Sequence, residues 1–118
     1  MKLFVDSSSK YLYIDVIEND LKYSFSRLGK NDHSEMLVTS LEEYLKELKY
    51  TVNDIEEVYI GRGPGSYTGV RISGTFGKTI SFIKNLKFYS FSSVKEIHLM
   101  FNISVTFSDM FMDLHVKF

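Results

Sequence analysis

The residues with the clearest potential for chemistry form a glycine-rich segment between an apolar run, 58–60, and a helical pattern. At a junction from strand to helix, backbone amides lack partners and the helix dipole favours an anion. Glycines there allow the backbone to approach a phosphate group or another chain closely. The alternative is a tight connection that needs glycine only for its turns. The segment reads Gly61-Arg62-Gly63-Pro64-Gly65-Ser66-Tyr67-Thr68-Gly69-Val70-Arg71.

The ordinary nucleotide-binding fingerprints do not fit this segment. The dinucleotide motif G-x-G-x-x-G would need its third glycine where Ser66 or Thr68 stands. The tripeptide 77–79 imitates the end of a P-loop, but the first P-loop glycine would fall at Ile72. Any anion contact would therefore be made by a loop of another type.

A short polar turn, Asp6, Ser7 and Ser8, follows the first apolar run, where a strand of an open sheet presents side chains to ligands. A carboxylate there could hold a metal-bound water or a phosphate network. It could equally cap a turn, and both interpretations stay open. The histidines lack the spacing of metal ligands; they are His33, His98 and His115.

Charge is divided along the chain, although the formal net charge is only -1. Residues 58–95 contain no carboxylate, which favours an anionic neighbour such as phosphate or RNA. The alternative is that these cations are simply solvated. They are Arg62, Arg71, Lys78, Lys84, Lys87 and Lys95.

Composition limits the class of protein. The 118 residues contain no cysteine, which excludes disulfides, thiolate zinc sites and a cysteine nucleophile. No apolar run approaches the ~18 residues of a transmembrane helix, and the first residues lack the apolar region of a signal peptide. We expect a soluble cytoplasmic domain with no membrane contact.

The elements that must position these residues follow from hydrophobic periodicity. The predicted strands are 2–5, 11–17, 21–28, 58–60 and 86–91, and the first two of three predicted helices are 33–49 and 70–85. The order β-β-β-α-β-α-β-α predicts an antiparallel meander followed by strands parallel to the first.

Capping signals and apolar spacing refine the helices. Asp32 with Glu35 predicts a capping box at the first helix, and Ser93 with Glu96 predicts a third helix. The predicted buried face of the second helix consists of Val70, Phe76, Ile80 and Ile83.

Residues 61–72 resemble, nearly position for position, the signature of the TsaB (YeaZ) family of tRNA threonylcarbamoyladenosine biosynthesis proteins. Phe4-Val5-Asp6-Ser7-Ser8 is similar to the opening strand and turn of that family, and His33-Ser34-Glu35 to the start of its first helix. Tyr89-Ser90-Phe91-Ser92-Ser93-Val94 is similar to a later strand and helix cap. The resemblance covers residues 1–97.

This resemblance implies an actin-like ATPase, or RNase H-like, α/β fold, with a mixed sheet of order 3-2-1-4-5 and helices on both faces. It implies a non-catalytic accessory subunit of the complex that makes N6-threonylcarbamoyladenosine in tRNA. The implied partners are a TsaD-type catalytic subunit, a TsaE-type ATPase and a second copy of the chain, with tRNA contacted only indirectly. No cofactor is expected in the chain itself, while ATP or ADP with magnesium can bind in the complex.

The resemblance also implies roles for individual residues, none of them catalytic or metal-binding. The glycine loop would contact a partner or phosphate through Gly61, Arg62, Gly63, Pro64, Gly65, Ser66, Tyr67, Thr68, Gly69 and Arg71. A vestigial nucleotide site would comprise Asp6, Ser7 and Ser8. The partner and homodimer surface would lie on the first two helices at His33, Leu37, Leu41, Val70, Gly74, Gly77 and Lys78, with both helix glycines permitting close packing between chains.

The family continues into a second domain. We therefore expect residues 1–97 to form the first domain and residues 98–118 to be an apolar tail, the stub of the second. Two other functions stay open. One is a nucleotide-binding enzyme of the actin-like class that uses Asp6 and the glycine loop, and the other is a truncated product without complete function.

Overall fold

The computed structural model describes residues 1–93, which form one five-stranded sheet with two helices. The strands are β1 (Lys2–Asp6), β2 (Tyr11–Glu18), β3 (Leu21–Leu28), β4 (Glu57–Gly61) and β5 (Lys87–Phe91). The helices are α1 (His33–Glu47) and α2 (Tyr67–Lys84), and a single 3-10 turn spans Val52–Asp54. The helix predicted from Ser93 and Glu96, and the tail 98–118, lie outside the described residues.

The order of the strands is β3-β2-β1-β4-β5, which confirms the predicted order 3-2-1-4-5. β1 and β2, and β2 and β3, pair antiparallel because short turns join them. β4 pairs parallel to β1, and β5 parallel to β4, because each follows a helical crossover. The strands β1, β4 and β5 therefore all end at the same edge of the sheet, which we call the carboxyl edge.

The two faces of the sheet carry different apolar residues, as period-two alternation requires. One face contributes residues such as Leu3, Ile14 and Ile60 to a core that also contains buried side chains of α1 and α2. The other face carries an aromatic stack in which the Tyr59 ring lies 4.5 Å from Phe4 and 5.1 Å from Tyr89. Within residues 1–93 both helices lie on the first face of the sheet.

The predicted capping box at α1 is wrong. The Asp32 carboxylate makes no capping bond to the first turn of the helix. It accepts instead from both terminal nitrogens of Arg27, at 3.3 and 3.0 Å, and from the amide of Lys30 at 2.9 Å. The planar guanidinium on the neighbouring strand offers two charge-assisted bonds in one plane, which bind a carboxylate more strongly than a helix amide does. Asp32 thus fastens the end of β3 to the start of α1.

The helix boundaries also differ from those predicted. α2 begins at Tyr67, three residues early, because the Ser66 hydroxyl caps it by accepting from the amide of Gly69 at 3.1 Å. It ends at Lys84, and the cap residue Asn85 that follows has a left-handed φ of 55°. α1 ends at Glu47, and Lys49 beyond it also has a positive φ, 65°.

Replacement of Asp32 tests the role of this carboxylate. Hydrogen bonding to Arg27 lowers the pKa of Asp32 to about 2, below its value of about 4 in an unfolded chain. The stabilisation is therefore fully present above about pH 4 and is lost as pH falls through the folded-state pKa. We expect Asp32→Asn to lower the free energy of unfolding at neutral pH and the difference from wild type to shrink as the pH approaches 2. Urea unfolding at several pH values measures this. Glu43→Gln, which removes an exposed carboxylate in the middle of α1, serves as the control, and a pH-independent difference at residue 32 would contradict the mechanism.

Candidate functional site

The glycine loop rests directly on the turn that follows β1. The amide of Ser66 donates to the carbonyl of Ser8 at 2.6 Å, and the Ser7 hydroxyl donates to the carbonyl of Gly69 at 2.6 Å. A Cβ atom at Gly65 would overlap the carbonyl oxygen of Ser8, and one at Gly69 would overlap that of Ser7. These glycines are therefore required by close approach within the chain. The sequence suggested that these glycines allow close approach to a ligand or to another chain. At these contacts they instead allow close approach to the turn after β1.

Asp6, Ser7 and Ser8 are all buried beneath the glycine loop. The Asp6 carboxylate accepts from the amide of Ser8 at 2.9 Å, so it caps the turn, which is one of the two roles predicted for it. A Cβ atom at Gly61 would overlap this carboxylate, so the end of β4 also depends on glycine. The three residues support the loop from below and present little surface to a ligand.

Several amides of the loop are already bonded within the chain. A phosphate-binding loop needs amides that point at the ligand without other partners. The bonded amides are those of Arg62 to the Phe91 carbonyl (2.9 Å), Gly63 to the Ser93 hydroxyl (2.9 Å), Ser66 to the Ser8 carbonyl and Gly69 to the Ser66 hydroxyl. This internal use of amides weighs against a phosphate cradle of the P-loop kind.

The outer surface of α1 and α2 is the second candidate site. It exposes large apolar side chains, with Phe82 89% and Ile83 72% exposed, and Val38 and Tyr67 are exposed as well. A groove of about 410 Å³ separates the two helices. Its lining residues are Ser34, Leu37, Val38, Thr68, Arg71, Ile72, Thr75 and Phe76.

The structure places the predicted interface residues in different environments. Leu37 and Leu41 are buried in the core, so they cannot form the exposed part of a contact surface. His33 is half-buried, and its Nε2 lies 2.9 Å from the carbonyl of Ser9, which ties α1 to the turn after β1. Lys78 is exposed on α2, whereas Val70 is half-buried. Ile83, which the apolar spacing predicts in the buried face of α2, is 72% exposed, so this prediction is wrong.

The two glycines predicted to pack against another chain behave differently. Gly77 is buried, and a Cβ atom there would overlap the ring of Phe88 in the same chain, so packing between chains is not its role. At Gly74 a Cβ atom would meet only Ile60 Cδ1, at 3.9 Å. Nothing among the described residues requires glycine at position 74, although glycine in a helix costs up to ~1 kcal/mol relative to alanine.

Some site features were not predicted from the sequence. The exposed Phe82 and Val38 escaped notice because single apolar residues outside a helical stripe carry little signal. The spacing of Tyr67, Arg71, Gly74, Lys78 and Phe82 could have shown one outward face of α2. The cations of the described residues 58–93 do not form one patch, because Arg62 lies at the carboxyl edge and Lys87 begins β5 at the opposite edge.

Among residues 1–93, no three His, Cys, Asp or Glu side chains are grouped as metal ligands would be. In the same residues no helix is long and apolar enough to cross a membrane.

The strand order, the parallel crossovers and the loops at the carboxyl edge define an α/β domain of the actin-like ATPase, or RNase H-like, class. The solved structure of YeaZ from Pseudomonas aeruginosa has the same fold, with a TM-score of 0.77 and 20% identity. The match covers 84% of this chain and 46% of that one.

Sequence comparison gives the family. The family model described as TsaD, tRNA N6-adenosine threonylcarbamoyltransferase, matches residues 27–107. The chain therefore belongs to this family, and its similarity to TsaB (YeaZ) is confirmed. It is 31% identical over 84 residues to the TsaB protein of Buchnera aphidicola subsp. Baizongia pistaciae, covering 71% of this chain and 38% of that protein. It is 27% identical over 96 residues to the TsaB protein of Bacillus subtilis, covering 80% of this chain and 42% of that protein. The chain thus spans less than half the length of these relatives.

The two α2 glycines provide a matched test of packing. We expect Gly74→Ala to raise the free energy of unfolding by about 0.5–1 kcal/mol, because the methyl group has space and alanine favours a helix. Gly77→Ala should lower it by about 1–3 kcal/mol, because the methyl group must displace Phe88. Urea denaturation of both variants checks this, and equal effects at the two positions would contradict the described packing.

Proposed function

We propose that the chain is an accessory, non-catalytic subunit in the synthesis of tRNA threonylcarbamoyladenosine. Its curated relatives in Buchnera and Bacillus are described as tRNA threonylcarbamoyladenosine biosynthesis proteins TsaB, which supports this process. Because the chain spans less than half of those relatives, their activity and partners enter here as part of the proposal. Residues 1–97 correspond in this proposal to a first domain and residues 98–118 to the stub of a second.

The partner in this proposal is a TsaD-type catalytic subunit, and its contact surface is the outer side of α1 and α2. The observation that carries the proposal is Gly74, a glycine inside α2 that no described neighbour requires. Close approach by a helix of another protein would account for it. The exposed Tyr67 and Phe82 lie on the same side of α2 and would be buried by such a partner. The groove between the helices could receive side chains of the partner.

The α1–α2 surface can accept only one occupant at a time. A second copy of the chain would bury the same apolar side chains, so a homodimer and the complex with the TsaD-type subunit would compete. A TsaE-type ATPase completes the assembly in this proposal without using that surface.

A bulky residue at position 74 tests the interface without disturbing the core. We expect Gly74→Leu to weaken binding to a TsaD-type subunit at least tenfold, a loss of about 1.4 kcal/mol, while the variant is at least as stable to unfolding as wild type because leucine favours a helix. Co-purification followed by calorimetric titration measures both. Ser26→Leu, at an exposed position of β3 outside the two helices, provides the matched control. Intact binding by a folded Gly74→Leu variant would refute the interface.

A nucleotide-binding enzyme of the actin-like class is the second candidate function. The observation in its favour is the position of Asp6 and the glycine loop at the carboxyl edge, where open α/β sheets bind ligands. The internally bonded amides of Gly63 and Ser66 weigh against it.

Titration calorimetry with ATP and ADP in the presence of magnesium separates the two candidates. As an accessory subunit the isolated chain should release no heat and gain no thermal stability from either nucleotide. A saturable signal that Asp6→Asn abolishes, in a variant shown to be folded, would support the nucleotide-binding enzyme.

A further inference from the structure

Three loops at the carboxyl edge are hydrogen bonded to one another in a row. The amide of Gly29, in the loop between β3 and α1, donates to the carbonyl of Lys10 at 2.8 Å. Lys10 is the last residue of the turn after β1. The same turn accepts a hydrogen bond from the glycine loop, from the amide of Ser66 to the carbonyl of Ser8. The row thus runs from the end of β3, across the start of β2 and the end of β1, to the end of β4.

Each of these loops presents an exposed cation. They are Lys30 after β3, Lys10 before β2 and Arg62 after β4. Arg62 makes one long contact, 3.4 Å, to the hydroxyl of Ser90. From β3 to β4 there are three interstrand spacings of about 4.8 Å, so the cations are spread over about 14 Å.

Few opposite charges face this row. Asp6 is buried, Asp32 is bound by Arg27, and Glu35 in the first turn of α1 is the exposed carboxylate closest to the row in sequence. α2 begins at this edge, so the positive end of its dipole lies there. No acidic residue in the first turn of α2 offsets that positive end. The exposed Tyr67 ring lies beside the loop, with the Arg71 guanidinium 5.5 Å from its centroid.

We infer that the carboxyl edge of the sheet binds the phosphate backbone of RNA through Lys30, Lys10 and Arg62. A row about 14 Å long is longer than one phosphate group can contact, and the loop amides that would cradle a single phosphate are bonded internally. Cations spread along an edge beside an exposed aromatic ring are typical of surfaces that follow a nucleic acid strand. The choice of RNA rests on the proposed role in tRNA modification. The inference replaces the indirect tRNA contact that the family resemblance implied.

The test measures binding of fluorescently labelled, unmodified tRNA transcript to the isolated chain by anisotropy over a series of salt concentrations. We expect the triple variant Lys10→Gln, Lys30→Gln, Arg62→Gln to bind at least tenfold more weakly. The slope of log affinity against log salt should fall by about 2–3, because each phosphate contact contributes about 0.7–0.9. The matched control is Lys46→Gln, Lys49→Gln, Lys87→Gln, which removes the same charge from exposed positions near the opposite edge. The control should bind like wild type.

Three results would overturn the inference. Equal loss in both triple variants would show a response to net charge alone. Displacement of the transcript by ATP at the same molar concentration as the transcript would indicate a site for a mononucleotide. Binding to phosphatidylglycerol vesicles but not to the transcript would indicate an anionic membrane surface. The binding assay contains no TsaD-type subunit. A negative result would therefore refute the RNA-binding edge without bearing on the proposed interface on α1 and α2, which is tested separately.

Discussion

The backbone contact between the turn after β1 and the glycine loop after β4 is the constraint on which the carboxyl edge depends. β1 and β4 are adjacent parallel strands, so their loops leave the sheet side by side. The loops lie so close that a Cβ atom at Gly65 or Gly69 would overlap a serine carbonyl. Ser66 both binds Ser8 and caps α2, so the same contact sets where α2 begins and which of its residues face the sheet. That position of the helix places Gly77 against Phe88 and leaves space for a Cβ atom at Gly74.

Two surfaces of different character result. The outer side of α1 and α2 exposes the large apolar side chains of Val38, Tyr67, Phe82 and Ile83 among polar residues and suits a protein partner, whereas the carboxyl edge carries exposed cations and suits an anion. Arg71, which lines the groove, and Tyr67, which it contacts, lie at the start of α2, where the two surfaces meet. If both proposals hold, one small domain can contact a catalytic subunit with its helices while the ends of its strands guide the RNA.

Prediction from sequence succeeded where the signal is local. Short apolar runs and alternating apolar residues predicted the five strands of the described residues, and short turns and helical crossovers then predicted the sheet order. Prediction from sequence failed where a residue has two possible sets of interaction partners. Asp32 could cap α1 or bind Arg27, and only the folded position of β3 brings the guanidinium within reach. Leu37 and Leu41 were assigned to a partner surface, but they fill the core because the sheet lies on that side of α1.

The sequence by itself determined the elements, their order, the glycine loop and the family, because each depends on residue types at fixed spacing. The tertiary structure alone decided which glycines are required by close contacts within the chain, as at Gly65, Gly69 and Gly77, and that Gly74 is not, since this depends on distances between elements far apart in the sequence. It also placed Arg62 at the carboxyl edge, Lys87 at the opposite edge and Arg71 on α2, and it brought the loops that carry Lys10, Lys30 and Arg62 next to one another. Charge along a sequence becomes a binding surface only when the fold places the charges side by side.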